Sequence, residues 1–339
     1  MNHICACRLH SSHRASGHYC RACNTAMFGK ELINTQLDFN FDNDDDEYLT
    51  AKFTPNNRIS ISGVQIKILL TLHDKQLRLS ELGERGRYIL KPAPTDIGLF
   101  HKNDIPANEH LTMQIAQQVF GIPTATNGLV TLSNGKYAYL TKRFDIQPDG
   151  TSKYIVEDFA TLANKNKETD GNDFKYNYSY LELAELVKRY CNDNTTQQLI
   201  RFYTLVLFNY LFANGDAHLK NFSIISYQNG KYQLSPIYDL LCTRLHINDT
   251  DFALFNALYD NDTQHPSYAI YGYHTGAIFK TFGKQIGLNT QRINAIFNAF
   301  LSEKTEQKVM QLINYSFLNE NLKQKYRSLF LERKKRLSQ

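Results

Sequence analysis

The sequence contains no tryptophan and only six cysteines among its 339 residues. Without tryptophan, the aromatic part of the core and any stacking on a nucleobase must use the 21 tyrosines and 21 phenylalanines. The chain also lacks a run of about 18 apolar residues that could cross a bilayer, and it has no recognisable signal peptide. We therefore expect a protein that stays in the cytoplasm and makes no membrane contact.

A strong excess of charge of one sign is missing as well. Lysine and arginine total 38 against 33 aspartate and glutamate residues, a formal net charge of +5. This mild bias is spread along the sequence and is not the pattern of a nucleic-acid binder. With 42% hydrophobic residues the chain can build a substantial core, and its length favours two lobes plus a short appendage.

Composition predicts three parts. Residues 1–50 form a Cys-rich segment and an acidic linker, because the run QLDFNFDNDDDEYL suits no buried helix or strand face. Residues 51–150 form a β-rich N-lobe, with three antiparallel strands predicted from RISISGVQIKILLTL, LRL and RYILKP. A helix with Leu111, Ile115 and Val119 on one face follows. Residues 151–339 form a larger, mainly helical C-lobe, so the predicted fold class is α/β (α+β) and bilobal.

The segment NGDAHLKNFSIISYQNGKYQLSPIYD carries the strongest chemical signal. Asp216 and Asn221 have the D-x-x-x-x-N spacing of a protein-kinase catalytic loop, in which the Asp accepts the acceptor proton and the Asn binds Mg²⁺. A predicted hairpin leads to Asp239, the second metal carboxylate. The alternative is that both aspartates cap turns or helices. That alternative explains neither the Asn nor the hairpin, so we predict an enzyme that uses ATP and Mg²⁺.

Further residues suit a nucleotide site in the N-lobe. Lys91 ends the strand YILK, as the nucleotide lysine of kinases does, and Glu109 on the next helix either orients it or merely complements the helix dipole. A hairpin with one glycine precedes them and either covers the phosphates or is an ordinary core hairpin. Its candidate phosphate-binding residues are Ser62, Gly63, Val64, Gln65 and Lys67.

Four more residues complete the predicted nucleotide site. His218 and Lys220 follow the proposed base within the loop, and we expect both to face the phosphates, although a lone histidine is often structural. Arg143 and Phe144 stand where the chain would leave the N-lobe, where backbone groups could bind the adenine edge.

The N-terminal cysteines form two close pairs, C-x-C and C-x-x-C. Such pairs suit a tetrahedral structural Zn²⁺, although neighbouring histidines are competing ligands and a disordered tail with spare thiols is the alternative. The four candidate ligands are Cys5, Cys7, Cys20 and Cys23.

From about Ser60 onwards these motifs, in this order, resemble the HipA family of bacterial toxin kinases, most closely its short HipT-type form. The resemblance rests on SISGVQIK, YILKPAP, NEHLTM, KRFD, NGDAHLKNFS and LSPIYDLL. It implies a bilobal kinase-like fold and a serine/threonine protein kinase that phosphorylates an aminoacyl-tRNA synthetase and so halts translation. It also implies autophosphorylation in the phosphate loop, at Ser60 or Ser62.

The resemblance implies partners too. Only 59 residues precede Ser60, fewer than the subdomain of long HipA proteins, which suggests that a separate small protein supplies that piece. An antitoxin with a helix-turn-helix would contact DNA, so this chain would meet DNA only indirectly. Two other functions stay open: a small-molecule phosphotransferase of the aminoglycoside or choline kinase type, and an inactive module that represses its own operon.

Overall fold

The computed structural model describes residues 19–41, 59–62, 65–81, 83–94 and 98–339. Within these ranges the protein combines two antiparallel sheets with a mainly helical C-terminal half, as the α/β prediction requires. No helix in the described ranges has both the length and the apolarity that a bilayer span needs.

The larger sheet dominates the N-terminal half. Its order is β1-β2-β4-β6-β5, with β3 paired to β2, and every pairing is antiparallel. The predicted first strand is in fact two, because the chain reverses between residues 62 and 65. The strands are β1 (Ile59–Ser62), β2 (Gln65–His73), β3 (Gln76–Leu79), β4 (Tyr88–Lys91), β5 (Asn127–Thr131) and β6 (Tyr137–Lys142).

Residues 19–41 belong to this half of the molecule, which corrects the prediction of a separate segment over residues 1–50. The Tyr19 hydroxyl donates to the Leu129 carbonyl, and the Tyr88 hydroxyl donates to the Met27 carbonyl. Met27 is fully buried, and Leu37 is buried inside the stretch that we predicted to be solvated. The acidic composition predicted a solvated linker, but the apolar residues among the acidic ones pack onto the sheet.

The smaller sheet and the remaining helices form the C-terminal half. The sheet has the order β7-β8-β9, with β7 (Ile155–Asp158), β8 (Ser223–Gln228) and β9 (Lys231–Leu234) all antiparallel. The α-helices within the described residues are α1 (Arg21–Phe28), α2 (Ile105–Gln118), α3 (Phe159–Leu162), α4 (Lys167–Asp170), α5 (Tyr180–Tyr190), α6 (Thr195–Leu211), α7 (Pro266–Tyr271), α8 (Gly276–Gln285), α9 (Thr290–Leu301), α10 (Glu303–Tyr315) and α11 (Glu320–Leu337).

Local sequence explains the two helices that lead into the site. A capping box starts α5, since the Ser179 hydroxyl accepts from the Glu182 N–H while the Glu182 carboxylate accepts from the Ser179 N–H. Leu183 and Val187 lie on the buried face of that helix. The apolar helix α6 is buried on nearly every side and ends beside the predicted catalytic loop, as expected for a central helix.

The sequence ERKKR near the C-terminus is typical of a solvated helix end, but one of its arginines is buried. Arg333 is almost completely buried on α11, and its guanidinium lies 4.7 Å from the centroid of the Tyr210 ring. It forms a salt bridge with Asp251, which also pairs with Arg336. A buried arginine is tolerated here because a carboxylate and an aromatic face compensate its charge.

We expect Arg333→Met to lower the free energy of unfolding by about 2 kcal/mol, because Asp251 loses its most buried partner. Urea denaturation followed by circular dichroism measures this change. Arg327→Met, at a half-buried position of the same helix where the guanidinium bonds only to the neutral Asn314 side chain among the described residues, should change stability by less than about 0.5 kcal/mol. Equal effects of the two substitutions would show that the buried pair does not stabilise the fold.

Candidate active site

Lys91, Glu109 and Asp239 meet between the two halves of the protein. The Lys91 ammonium, at the end of β4, lies 2.6 Å from Glu109 Oε1 on α2 and also donates to Asp239 Oδ1. Lys67 on β2 approaches the other Asp239 oxygen at 3.4 Å. The sequence left open whether Glu109 turns towards Lys91, and the structure places the two in direct contact.

Burial and charge oppose each other in this cluster. Burial alone would lower the pKa of Lys91, but the carboxylates of Asp239 and Glu109 outweigh it and raise that pKa. Burial raises the pKa of Glu109, and Lys91 only partly offsets this effect. For Asp239, burial is outweighed by Lys91 and Lys67, which hold its pKa well below the ordinary value. Asp239 is therefore an anion that already attracts cations.

The backbone around Asp239 is unusual. Asp239 has a φ of +58° and Ala213, just before the NGD motif, a φ of +49°, so both lie in the left-handed region. Such conformations cost free energy in residues with a Cβ and occur often at functional sites. Here the left-handed turn follows the β8–β9 hairpin and brings the Asp239 carboxylate to Lys91.

Asp216 and Asn221 lie in the loop that follows α6. The Tyr176 hydroxyl donates to Asp216 Oδ1 at 3.0 Å, and the Asn221 side-chain oxygen accepts from the His218 N–H. The Asp216 side chain is 53% exposed, yet the protein around it raises its pKa, first through burial and also through Asp239. The Asp239 carboxylate is therefore close enough to contribute to the raised pKa of Asp216.

Hydrogen bonds and close packing hold this loop in place. The Thr243 hydroxyl donates to the Ala213 carbonyl and accepts from the Gly215 N–H. A Cβ at position 215 would collide with the Asp249 carboxylate, so only glycine fits. From the hairpin side, the Tyr238 hydroxyl donates to the Lys220 carbonyl, which ties the neighbour of Asp239 to the loop.

Asn108, beside Glu109, joins α2 to the segment after Asp239. Its amide donates to the Cys242 carbonyl at 2.9 Å, and its side-chain oxygen accepts from the Cys242 N–H at 3.1 Å. The same amide lies 2.8 Å from His246 Nε2, which therefore accepts. This clamp fixes Glu109 and Asp239 relative to each other.

His218 and Lys220, the other two loop residues predicted to face the phosphates, both contact residues of other segments. His218 is buried, and its Nε2 lies 2.9 Å from the Lys175 ammonium. Burial and Lys175 lower the pKa of His218 to about 3, so its ring is neutral. Lys220 pairs with Asp158 on β7 at 3.4 Å, so its charge is shared with that carboxylate as well as the cleft.

At the exit from the N-lobe, Arg143 is engaged within the protein. Its N–H donates to the Arg87 carbonyl, and its guanidinium bonds to Asp145 and to the Gly86 carbonyl. The Arg143 N–H is thus used within the protein, and binding of an adenine edge by other backbone groups of Arg143 and Phe144 stays a prediction. Phe144 stacks on Tyr238 with ring centroids 5.8 Å apart, next to Asp239.

For the phosphate loop, the backbone register is clear. Ser60 pairs with Lys67 and Ser62 with Gln65 across the β1–β2 hairpin. The predictions for Gly63 and Val64 lie outside the described residues. Lys67, the partner of Ser60 in this pairing, is the residue that reaches Asp239.

The predicted zinc site is described only in part. Cys5 and Cys7 lie outside the described residues. Cys20 caps α1, since its Sγ accepts from the Cys23 N–H at 3.3 Å. Among the residues that the structure describes, no three or more His, Cys, Asp or Glu side chains are grouped to hold a metal ion. The described half of the motif thus gives zinc no support.

Sequence reasoning missed Lys175 and Tyr176, which contact His218 and Asp216 from a loop about 40 residues earlier in the chain. No spacing rule connects that loop with the NGD motif. The capping box at Ser179 and Glu182 signalled only that a helix begins nearby.

Known proteins are similar to this chain in sequence and in fold. A Haemophilus influenzae protein named "Putative kinase" is 28% identical over 288 residues, covering 80% of each chain. The serine/threonine-protein kinase toxin HipA of Shewanella oneidensis is 27% identical over 67% of this chain, which spans only 52% of that toxin. A structure of Shewanella oneidensis HipA with HipB and operator DNA has a TM-score of 0.62 and 21% identity, covering 83% of this chain and 65% of that one.

The HipA-like C-terminal domain model matches residues 59–308, which include every residue of the cleft described above. The match covers most of the chain, and the fold agrees with that of HipA. The chain belongs to the family of proteins with a HipA-like C-terminal domain.

Proposed function

We propose that this chain is an ATP- and Mg²⁺-dependent serine/threonine protein kinase that acts as the toxin of a bacterial toxin–antitoxin system. The observation that carries the proposal is the buried Lys91–Glu109–Asp239 cluster beside the Asp216 loop. A lysine held between two carboxylates, next to a third carboxylate in a cleft, suits phosphoryl transfer from a nucleotide.

The donor set fits the nucleotide and its metal. Asn221 and Asp239 offer the amide and carboxylate oxygens that Mg²⁺ prefers. Lys91 and Lys67, which both contact Asp239, would neutralise the phosphates. Bound Mg²⁺ supplies charge neutralisation at the phosphates. Phe144 and Tyr238 provide an aromatic surface beside the same carboxylate.

Asp216 is the proposed base. Tyr176 occupies one of its carboxylate oxygens, which leaves the other for an acceptor hydroxyl. Burial raises the Asp216 pKa, which makes the carboxylate a better proton acceptor than it would be in water. The acceptor is proposed to be a protein serine or threonine, because the family relative with the most specific name is a serine/threonine-protein kinase.

The biological role follows the HipA resemblance. The Shewanella oneidensis toxin forms a complex with HipB and operator DNA. For this chain we propose a helix-turn-helix antitoxin and a small N-subdomain-like protein as partners, as in the HipT-type form, and an aminoacyl-tRNA synthetase as the substrate.

Regulation by autophosphorylation is part of the proposal. Ser60 pairs with Lys67, whose ammonium reaches Asp239, so the hairpin lies at the edge of the cleft. A phosphate on Ser60 or Ser62 would add a charge of about −1.5 to −2 beside the nucleotide phosphates and oppose their binding.

The test is transfer of label from γ-labelled ATP with Mg²⁺, for the protein alone and in a bacterial lysate. We expect phosphoserine in a protein of synthetase size and on Ser60 or Ser62, identified by mass spectrometry. Ser60→Ala with Ser62→Ala should remove only the self-labelling. Label that passes only to small molecules would support a small-molecule phosphotransferase, and no transfer at all would support an inactive module.

A further inference from the structure

The catalytic loop lacks an uncommitted cation of its own. His218 Nε2 lies 2.9 Å from the Lys175 ammonium, and because an ammonium only donates, this nitrogen must be an acceptor. The imidazole in this arrangement is neutral. Lys220, the other basic residue of the loop, pairs with Asp158. His218 therefore has no positive charge to neutralise a transferred phosphoryl group, and the charge of Lys220 is partly neutralised by Asp158.

Lys175 brings such a charge from another segment. Its ammonium bonds to His218, while its carbonyl accepts from the Leu219 N–H at 3.1 Å. Both ends of the residue are therefore attached to the catalytic loop. The ammonium also lies 4.8 Å from the centroid of the Tyr176 ring, whose hydroxyl holds Asp216. These contacts place a fixed cation on the acceptor side of the cleft.

The charge of Lys175 is incompletely compensated. In the described part of the chain no carboxylate lies within salt-bridge distance of its half-buried ammonium. Burial lowers the pKa of Lys175; Asp216 opposes this effect, and repulsion from Lys220 and Lys67 adds to it. Cations that crowd together around one cleft are typical of a site for a polyanion.

We propose that Lys175 contacts the phosphoryl group during its transfer and is the acceptor-side cation of this active site. The inference rests on the proposed kinase function and adds a residue to it. In the reaction, the acceptor oxygen forms a bond to the γ-phosphorus and the bond from that phosphorus to the β,γ-bridging oxygen breaks. The acceptor proton passes to Asp216 and ADP leaves. Lys175 donates hydrogen bonds to the phosphoryl oxygens and changes no covalent bond.

A purely structural role for Lys175 makes a different prediction. If the lysine only supports His218, its removal should loosen the loop and weaken the binding of all nucleotides equally. If it contacts the γ-phosphoryl group, its removal should weaken the binding of nucleotides that carry this group and leave ADP binding unchanged. Lys175→Met, which keeps the apolar stem, separates the two.

Isothermal titration calorimetry with Mg²⁺-ADP and with the analogue Mg²⁺-AMP-PNP provides the test. For Lys175→Met we expect unchanged ADP affinity and AMP-PNP affinity about tenfold weaker than that of the unsubstituted protein. Lys175→Arg should recover most of the loss, because it restores the charge. Single-turnover self-phosphorylation should fall about 10²-fold in Lys175→Met.

Lys188→Met is the matched control, since Lys188 pairs with Glu185 on the surface of α5. It should leave both affinities unchanged. Equal weakening of ADP and AMP-PNP by Lys175→Met, or no weakening of either, would overturn the inference while leaving the proposed function standing. Failure of the unsubstituted protein to bind either nucleotide would overturn the proposed function itself.

Discussion

Asp216→Asn is expected to slow phosphoryl transfer by about 10³-fold while the protein stays folded and binds nucleotide. The amide keeps the shape of the side chain and can still accept the Tyr176 hydrogen bond. It cannot take a proton from the acceptor hydroxyl. Single-turnover assays with γ-labelled ATP measure the rate, and calorimetry with AMP-PNP measures binding.

Glu185→Gln is the control for this substitution. Glu185 is an exposed carboxylate on α5 that pairs only with Lys188 among the described residues, so its neutralisation should leave the transfer rate unchanged. If Asp216→Asn retained more than about a tenth of the activity, Asp216 would not be the base.

Lys91→Met is expected to abolish nucleotide binding and to lower the free energy of unfolding by about 3 kcal/mol. Lys91 is the direct partner of Glu109 and is shared with Asp239. Its removal leaves the buried Glu109 carboxylate without a cation in contact, whereas Asp239 retains Lys67. Urea denaturation at several pH values measures the loss.

The loss should grow with pH. Burial raises the pKa of Glu109, and without Lys91 nothing in direct contact opposes this shift. The folded variant then holds a proton that the unfolded chain releases above about pH 4.3, so the variant loses stability as pH rises towards neutrality. A second substitution, Glu109→Gln, in the Lys91→Met variant should remove this additional loss of stability with rising pH. A Lys91→Met variant whose stability follows the same pH profile as the unsubstituted protein would contradict the account.

Sequence patterns were sufficient where contacts are local or follow a fixed spacing. The spacing of Leu111, Ile115 and Val119 predicted α2, because one face of such a helix must be buried. The hairpin predicted between Asn221 and Asp239 is present as β8 and β9. Such a motif specifies its own geometry over a short stretch of chain.

Contacts between distant segments could not be predicted in this way. The approach of Lys175 to His218 depends on where α5 begins and how the loop before it crosses the NGD motif. Arg333 is buried because Asp251 and Tyr210 meet it, although its ERKKR neighbourhood is typical of a solvated end. In both cases the partner, not the local composition, decides the environment.

The same reasoning accounts for the N-terminal segment. Acidic residues around Leu37 predicted a solvated linker, yet the Leu37 N–H donates to the Thr131 carbonyl and Gln36 bridges to the same residue on β5. An open sheet edge offers hydrogen bonds that no local pattern reveals. Composition alone therefore placed the boundary of the first lobe too late.

The account depends on Asp216, Asn221 and Asp239 surrounding the terminal phosphate of a nucleotide. A crystal structure of the protein with Mg²⁺ and AMP-PNP tests this most directly. We predict Mg²⁺ about 2.0–2.1 Å from oxygens of Asn221 and Asp239, with Asp216 facing the γ-phosphate. A nucleotide bound away from Lys91 and Asp239, or one whose metal contacts neither Asn221 nor Asp239, would contradict it.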